Sequence, residues 1–111
     1  MNEEQLEQRF EELHKLSRDY AQAAADKAHI EEYRKVRKAE LMKQAERDGI
    51  TTVAKQERDA YASPEYAELL DNLRTAIFEE TRLKWELELF KIKFEAWRTL
   101  RADNRARANL V

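Results

Sequence analysis

The scarcity of turn-forming residues is the feature that most constrains how this chain can fold. Its 111 residues include one Gly and one Pro. A β-sandwich or barrel needs turn residues at intervals of about 8 to 12 positions, which this chain does not contain. Two breaks are enough for a few long helices, and they are "RDGITT" at 47–52 and "ASPE" at 62–65. The length fits one domain, so we predict a single all-α domain over residues 1–111.

Both breaks contain residues that helix ends prefer. Gly49 adopts the left-handed conformation of a helix C-terminus at low cost, and Thr51 or Thr52 can cap the helix that follows. Ser63 can cap free N–H groups, and Pro64 loses no hydrogen bond at a first helical position. We therefore predict helices at about 3–47, about 52–61 and about 64–107.

The segment "KWELELFKIKFEAW" at 84–97 alternates like a strand, but no Gly, Pro, Asn or Asp lies between Asn72 and Asp103. A strand there would have no turns around it, so we predict a helix. At about 100° per residue, its apolar residues form two stripes on nearly opposite faces. The first stripe contains Leu69, Leu73, Ala76, Leu83, Leu87, Phe90, Phe94 and Trp97. The second contains Phe78, Trp85, Leu89, Ile92, Ala96 and Leu100.

The first helix can cover only one of these stripes, since it has one main stripe of its own: Leu6, Phe10, Leu13, Leu16, Tyr20 and Ala24. Large apolar patches on a monomer usually mark an interface. We therefore predict a long, coiled-coil-like antiparallel helical hairpin with a short connecting helix, which dimerises into a four-helix bundle. The predicted self-association residues are Phe78, Trp85, Leu89, Ile92 and Leu100. In the alternative, the short helix folds back over the second stripe, although it is too short to cover 78–100.

Charge is nearly balanced, with 21 Lys and Arg against 23 Asp and Glu, which does not suggest a protein that coats DNA. Two segments are nevertheless basic. One is 33–47, with Arg34, Lys35, Arg37, Lys38 and a ring, Tyr33, that could stack on a base. The other is 98–107. An antiparallel hairpin brings the first near the acids of 65–80 and the second near the N-terminal glutamates. Each cluster therefore either pairs within the hairpin or binds phosphates.

No group of residues in the sequence predicts a catalytic or metal-binding site. There are no cysteines. His14 and His29 each follow an acid by three residues, a spacing found in di-iron bundles, but both project away from the apolar stripe of the first helix. Ser17 and Ser63 have no histidine at a suitable spacing, and no glycine-rich loop exists to hold phosphate. We predict a protein that is not an enzyme and has no metal or cofactor. Without an apolar run of roughly 18 residues or a signal peptide, it is expected in the cytoplasm and away from membranes.

Two short motifs carry a resemblance to known proteins. They are "AYAS" at 60–63 followed by Tyr66, and "WRT" at 97–99 followed by Ala102 and Asn104-Arg105. Over roughly the second half of the chain, these motifs resemble small helical proteins of bacteriophages and prophages that are encoded near recombination and replication genes. The resemblance implies a phage origin, a bacterial host cytoplasm and an accessory role near DNA metabolism.

The main hypothesis is a non-enzymatic accessory protein that binds another protein, such as a recombination, replication or counter-defence factor. The alternative is a nucleic-acid-binding recombination accessory that uses 33–47 and 98–107. In the second segment the polar residues form one ridge, at i, i+3, i+6 and i+7. The candidate binding residues are Arg34, Lys35, Arg37, Lys38, Arg98, Arg101, Asn104 and Arg105.

Overall fold

The computed structural model describes residues 2–110, which are almost entirely helical and include no strand. The three helices are α1 (Glu3–Arg47), α2 (Val53–Tyr61) and α3 (Pro64–Leu110). The all-α prediction is confirmed. The predicted bounds of α1 agree with the structure, α2 begins one residue later than predicted, and α3 ends three residues later. Segment 84–97 lies inside α3, so its alternation is not that of a strand.

A reciprocal pair of side chains caps the start of α1. The Gln5 backbone N–H donates to Asn2 Oδ1 at 2.8 Å, and the Asn2 N–H donates to Gln5 Oε1 at 3.0 Å. This capping box satisfies two N–H groups that the first turn leaves without helical partners.

Gly49 ends α1 in the left-handed region, with φ of 95°. The Gly49 N–H donates to the Glu46 carbonyl at 3.1 Å, and the Ile50 N–H donates to the Ala45 carbonyl at 3.0 Å. This pair of bonds is the Schellman arrangement, in which a glycine reverses the chain while carbonyls of the last turn stay bonded. The predicted end of the first helix is therefore confirmed together with its cause.

The two remaining helix starts differ in how they are capped. Ser63 caps α3 as predicted, because the Tyr66 N–H donates to Ser63 Oγ at 3.2 Å. Thr52 is the N-cap residue of α2, one of the two threonines predicted, and has an extended backbone, but its side chain makes no capping hydrogen bond. The connection is held instead by buried Gln56, whose Nε2 donates to the Ile50 carbonyl at 2.7 Å.

Residues 21–80 form one compact unit, which contains α2 and parts of α1 and α3. Its core is built from small and aromatic residues and two leucines: Ala23, Ala45, Ala60, Tyr66, Leu69 and Leu73. Ala60 is the most buried, at 2% exposed, because a methyl side chain lets α2 approach its neighbours closely. Lys27 of α1 and Glu80 of α3 form an ion pair at 2.7 Å.

Residues 2–20 and 81–110 belong to a second compact unit, in which the start of α1 packs antiparallel to the end of α3. Leu83 is its one large buried residue among those described. The Phe10 and Phe94 rings lie 5.9 Å apart, and the Phe94 and Trp97 rings lie 5.6 Å apart. Most other apolar residues facing this pairing are half-buried: Leu6, Leu13, Leu16, Leu87 and Phe90.

Candidate interaction surfaces

The two apolar stripes of α3 differ in how far they are buried. Every residue of the first stripe is buried or half-buried. The large residues of the second stripe are 51% to 64% exposed, namely Phe78, Trp85, Leu89, Ile92 and Leu100. Phe78 belongs to the same compact unit as the short helix and is 64% exposed, so the short helix does not fold back over it. Helix α2 packs elsewhere, with its Glu57 carboxylate 3.0 Å from Lys38 Nζ of α1. The chain therefore has an apolar face that it does not cover itself.

Three of the six cations of the basic segment 33–47 pair with nearby acids. Lys35 pairs with Glu32 at 3.3 Å and Arg37 with Glu40 at 3.0 Å, both within α1. These partners differ from the α3 acids that we expected. Of those acids, Glu80 does pair with α1, but with Lys27, a residue outside the segment. The reason is distance, since an acid three residues away on the same helix is within reach of a flexible side chain.

Arg34 is one of three cations of this segment, with Lys43 and Arg47, that form no ion pair within residues 2–110. The Arg34 Nε donates to Tyr66 Oη at 3.4 Å. The bond to Tyr66 raises the pKa of the Arg34 guanidinium above its ordinary value. These three unpaired cations can contact phosphates, and a nucleic acid needs several such contacts.

Two tyrosines that we did not assign to a site lie beside this segment. Tyr61 and Tyr66 meet edge to face at 5.1 Å and form one wall of a cleft of about 560 Å³ against α1. Lys38 Nζ lies 4.8 Å from the centre of the Tyr61 ring. Hydrogen bonds to Tyr61 and then to Glu57 raise the pKa of the Lys38 ammonium. Both tyrosines belong to the "AYAS" motif region, which was the one sequence signal that marked them.

Tyr33, the ring that we expected to stack on a base, stacks instead on His29 within α1. The two ring centres lie 6.2 Å apart and Tyr33 is half-buried. Tyr61 therefore replaces Tyr33 as the aromatic residue that borders the basic segment.

The C-terminal ridge consists of Arg98, Arg101, Asn104 and Arg105, and all four residues are exposed. Arg98 pairs with Glu95 of the same helix at 3.0 Å, and Arg101 lies over the Trp97 ring at 5.4 Å. Asn104 and Arg105 have no side-chain partner among residues 2–110. Arg98, Arg101 and Arg105 border a shallow depression of about 360 Å³.

The N-terminal glutamates do not neutralise this ridge. Glu12 pairs with Arg9 within α1 at 3.0 Å. In the part of the chain that the structure describes, no ion pair joins residues 3–12 to the C-terminal arginines. The arginines beyond Arg98 are therefore available to an external anion.

The residues considered for metal binding and catalysis are not assembled into a site. His14 and His29 are exposed. Over residues 2–110, no three His, Asp or Glu side chains come together in a group that could hold a metal ion. Ser63 Oγ donates to the Ala60 carbonyl at 2.7 Å, in addition to its role as a cap. In the same range, no helix has both the length and the apolar character needed to cross a membrane.

Together these features define an all-α protein of the helical-hairpin class with one apolar face left open. Comparison of the chain with protein-family models, with curated proteins and with solved structures found no match.

Proposed function

We propose that this protein acts by binding rather than by catalysis, as a helical hairpin that self-associates through the second stripe of α3 and holds another protein. The observation that carries the proposal is the exposure of Trp85, Leu89, Ile92 and Leu100 on one helix face. Isolated exposed apolar residues are ordinary, but a contiguous row of large ones on a helix is typical of an interface.

The resemblance to phage proteins gives the proposal a biological setting. In that setting the partner is a recombination, replication or host-defence protein in the bacterial cytoplasm. Binding to it would use the polar surfaces that self-association leaves open. These are the Tyr61 and Tyr66 cleft and the C-terminal ridge.

Light scattering tests the self-association. We expect a particle of twice the chain mass of 13.3 kDa for the unaltered protein, and a folded monomer for Trp85→Glu combined with Leu89→Glu. Each substitution would bury a carboxylate against an apolar surface, which dimers do not tolerate.

Val36→Glu with Val53→Glu is the matched control. These valines are also exposed, at 51% and 65%, but lie on α1 and α2. The control should remain dimeric while circular dichroism shows all variants to be helical. An unaltered protein that is monomeric at every concentration tested contradicts the proposal.

Nucleic-acid binding is the second candidate function, and the free arginines of the C-terminal ridge favour it. Arg101 and Arg105 form no ion pair within residues 2–110 and border one depression together with Arg98, which pairs with Glu95. In 33–47, three of the six cations pair with acids, so we place the phosphate contacts in the C-terminal segment. For single-stranded DNA, three contacts give a slope of about −2 for log affinity against log salt.

Arg101→Ala with Arg105→Ala should abolish most of this binding, whereas Arg34→Ala with Arg37→Ala should reduce it little. Fluorescence anisotropy of labelled DNA across a salt series measures both effects. Binding that is absent at low salt, or that is insensitive to salt, argues against this candidate.

A further inference from the structure

The second stripe of α3 has a symmetric pattern of residue types about Leu89. Trp85 lies four residues before Leu89, and Ile92 lies three residues after it. Phe78 lies eleven residues before, and Leu100 eleven after. All of them are on the one continuous helix α3, where this spacing keeps them on a single face. Two copies of this face laid antiparallel bring Trp85 against the partner's Ile92, and Phe78 against the partner's Leu100.

Charged residues continue this symmetry at both ends of the stripe. Asp71 lies eighteen residues before Leu89 and Arg107 eighteen after, while Arg74 lies fifteen before and Asp103 fourteen after. At about 100° per residue, all four project within about 40° of Trp85. All four are exposed, and within residues 2–110 none forms an ion pair.

These four charges distinguish the two possible orientations. An antiparallel pair of α3 helices places Asp71 toward the partner's Arg107 and Arg74 toward the partner's Asp103. A parallel pair in register places each of the four against its own copy, so that every contact joins like charges. Exposed ion pairs contribute little stability, but like charges in register disfavour an arrangement.

Two charged residues on one edge of the stripe are also placed symmetrically about Leu89. Glu86 lies three residues before Leu89 and Lys93 four after, and both project about 80° to 100° from Trp85 on the same side. Antiparallel packing sets matching edges against each other, so Glu86 meets the partner's Lys93 twice, once on each side of the two-fold axis. Glu86 also pairs with Arg82 of its own helix, whereas Lys93 has no ion pair in the described chain.

We infer that the occupant of the exposed stripe is a second copy of this chain, bound antiparallel through α3, with the two-fold axis at Leu89. The inference rests on the proposed self-association and adds its orientation and register. Because the two stripes of α3 are nearly opposite, the stripe that packs on α1 faces away from the partner's α3.

Disulfide cross-linking tests the register, and the chain has no cysteine to interfere. Leu89→Cys should cross-link to itself, because the two-fold axis passes beside it. Phe78→Cys mixed with a mass-tagged Leu100→Cys should give a mixed cross-linked dimer, and neither variant should cross-link efficiently to itself. Disulfides need Cα atoms closer than about 7 Å, so the readout is specific.

Lys91→Cys is the matched control, since Lys91 is exposed on α3 but projects away from the stripe. It reports the background of collisional cross-linking. Self-cross-linking of both Phe78→Cys and Leu100→Cys above this background means parallel packing and overturns the inference, while leaving the proposed function intact. If light scattering shows the unaltered chain to be monomeric, both the antiparallel register and the proposed self-association are contradicted.

A charge swap gives an independent test. Lys93→Glu alone, or Glu86→Lys alone, should weaken dimerisation about tenfold, because two attractive contacts become repulsive in each case. The double variant should recover most of the lost affinity. A parallel dimer places Lys93 near the partner's Glu88, so recovery by Glu88→Lys instead of Glu86→Lys overturns the antiparallel arrangement.

Discussion

At the scale of single residues, the most specific contacts of this protein lie at the ends of its helices. Gly49 is needed because its φ of 95° is costly for any side chain, although nothing lies within 4 Å of where a Cβ would stand. The strain there would come from the backbone alone. Ser63 has two bonds, one to the Tyr66 N–H and one to the Ala60 carbonyl, so it links α2 to α3.

Ser63→Ala should lower the free energy of unfolding by about 1 kcal/mol, because an N-terminal N–H of α3 loses its cap. Thr52→Ala is the control at an equivalent position whose side chain makes no capping bond, and it should change stability by less than about 0.5 kcal/mol. Urea unfolding followed by circular dichroism measures both. Equal effects of the two substitutions would show that Ser63 does not act as a cap.

Local roles such as those of Gly49 and Ser63 could be predicted from the sequence, because the bonds involved span only a few residues. Thr52 is the N-cap of α2 as predicted, but the sequence did not indicate that the bond that holds the connection comes from Gln56. Tyr61 and Tyr66 were not predicted as neighbours of Arg34 and Lys38, since that contact depends on where α2 packs.

At the scale of elements, α3 has two apolar faces, of which one is buried or half-buried and the other is exposed. The spacing of its residues was sufficient to separate the buried face from the exposed one, because helical periodicity fixes direction around the axis. The partners of the charged residues were not predictable in the same way. A long side chain such as Lys35 or Arg37 can reach several acids, and the nearest one lies on its own helix.

The substitutions Leu83→Ala and Ile92→Ala compare how much each face of α3 contributes to the free energy of unfolding. Leu83 is 6% exposed and Ile92 is 62% exposed. In a Trp85→Glu, Leu89→Glu background, which we expect to be monomeric, Leu83→Ala should cost about 2 to 3 kcal/mol and Ile92→Ala less than about 0.5 kcal/mol. Denaturant titration of the two variants gives the comparison. A large cost for Ile92→Ala would mean that the second stripe is packed within the chain.

At the scale of the whole molecule, self-association predicts that stability depends on protein concentration. The thermal midpoint of the unaltered chain should rise by about 3 to 5 °C for each tenfold increase in concentration, because mass action favours the dimer. The midpoint of Trp85→Glu with Leu89→Glu should not move. Calorimetry over a hundredfold concentration range measures this, and a constant midpoint for the unaltered chain would contradict the dimer.

The contact between Arg101 and Trp97 allows binding at the C-terminal ridge to be followed by tryptophan fluorescence. A guanidinium 5.4 Å from an indole ring influences its excited state, so an anion that draws Arg101 away should shift the emission of Trp97. The chain has two tryptophans and four tyrosines. Trp85→Phe keeps an aromatic ring on the stripe and leaves Trp97 as the only tryptophan, which can be excited at wavelengths that tyrosine does not absorb. The protein therefore contains its own fluorescent sensor for whatever binds its arginines, and ligands can be screened without attaching a dye.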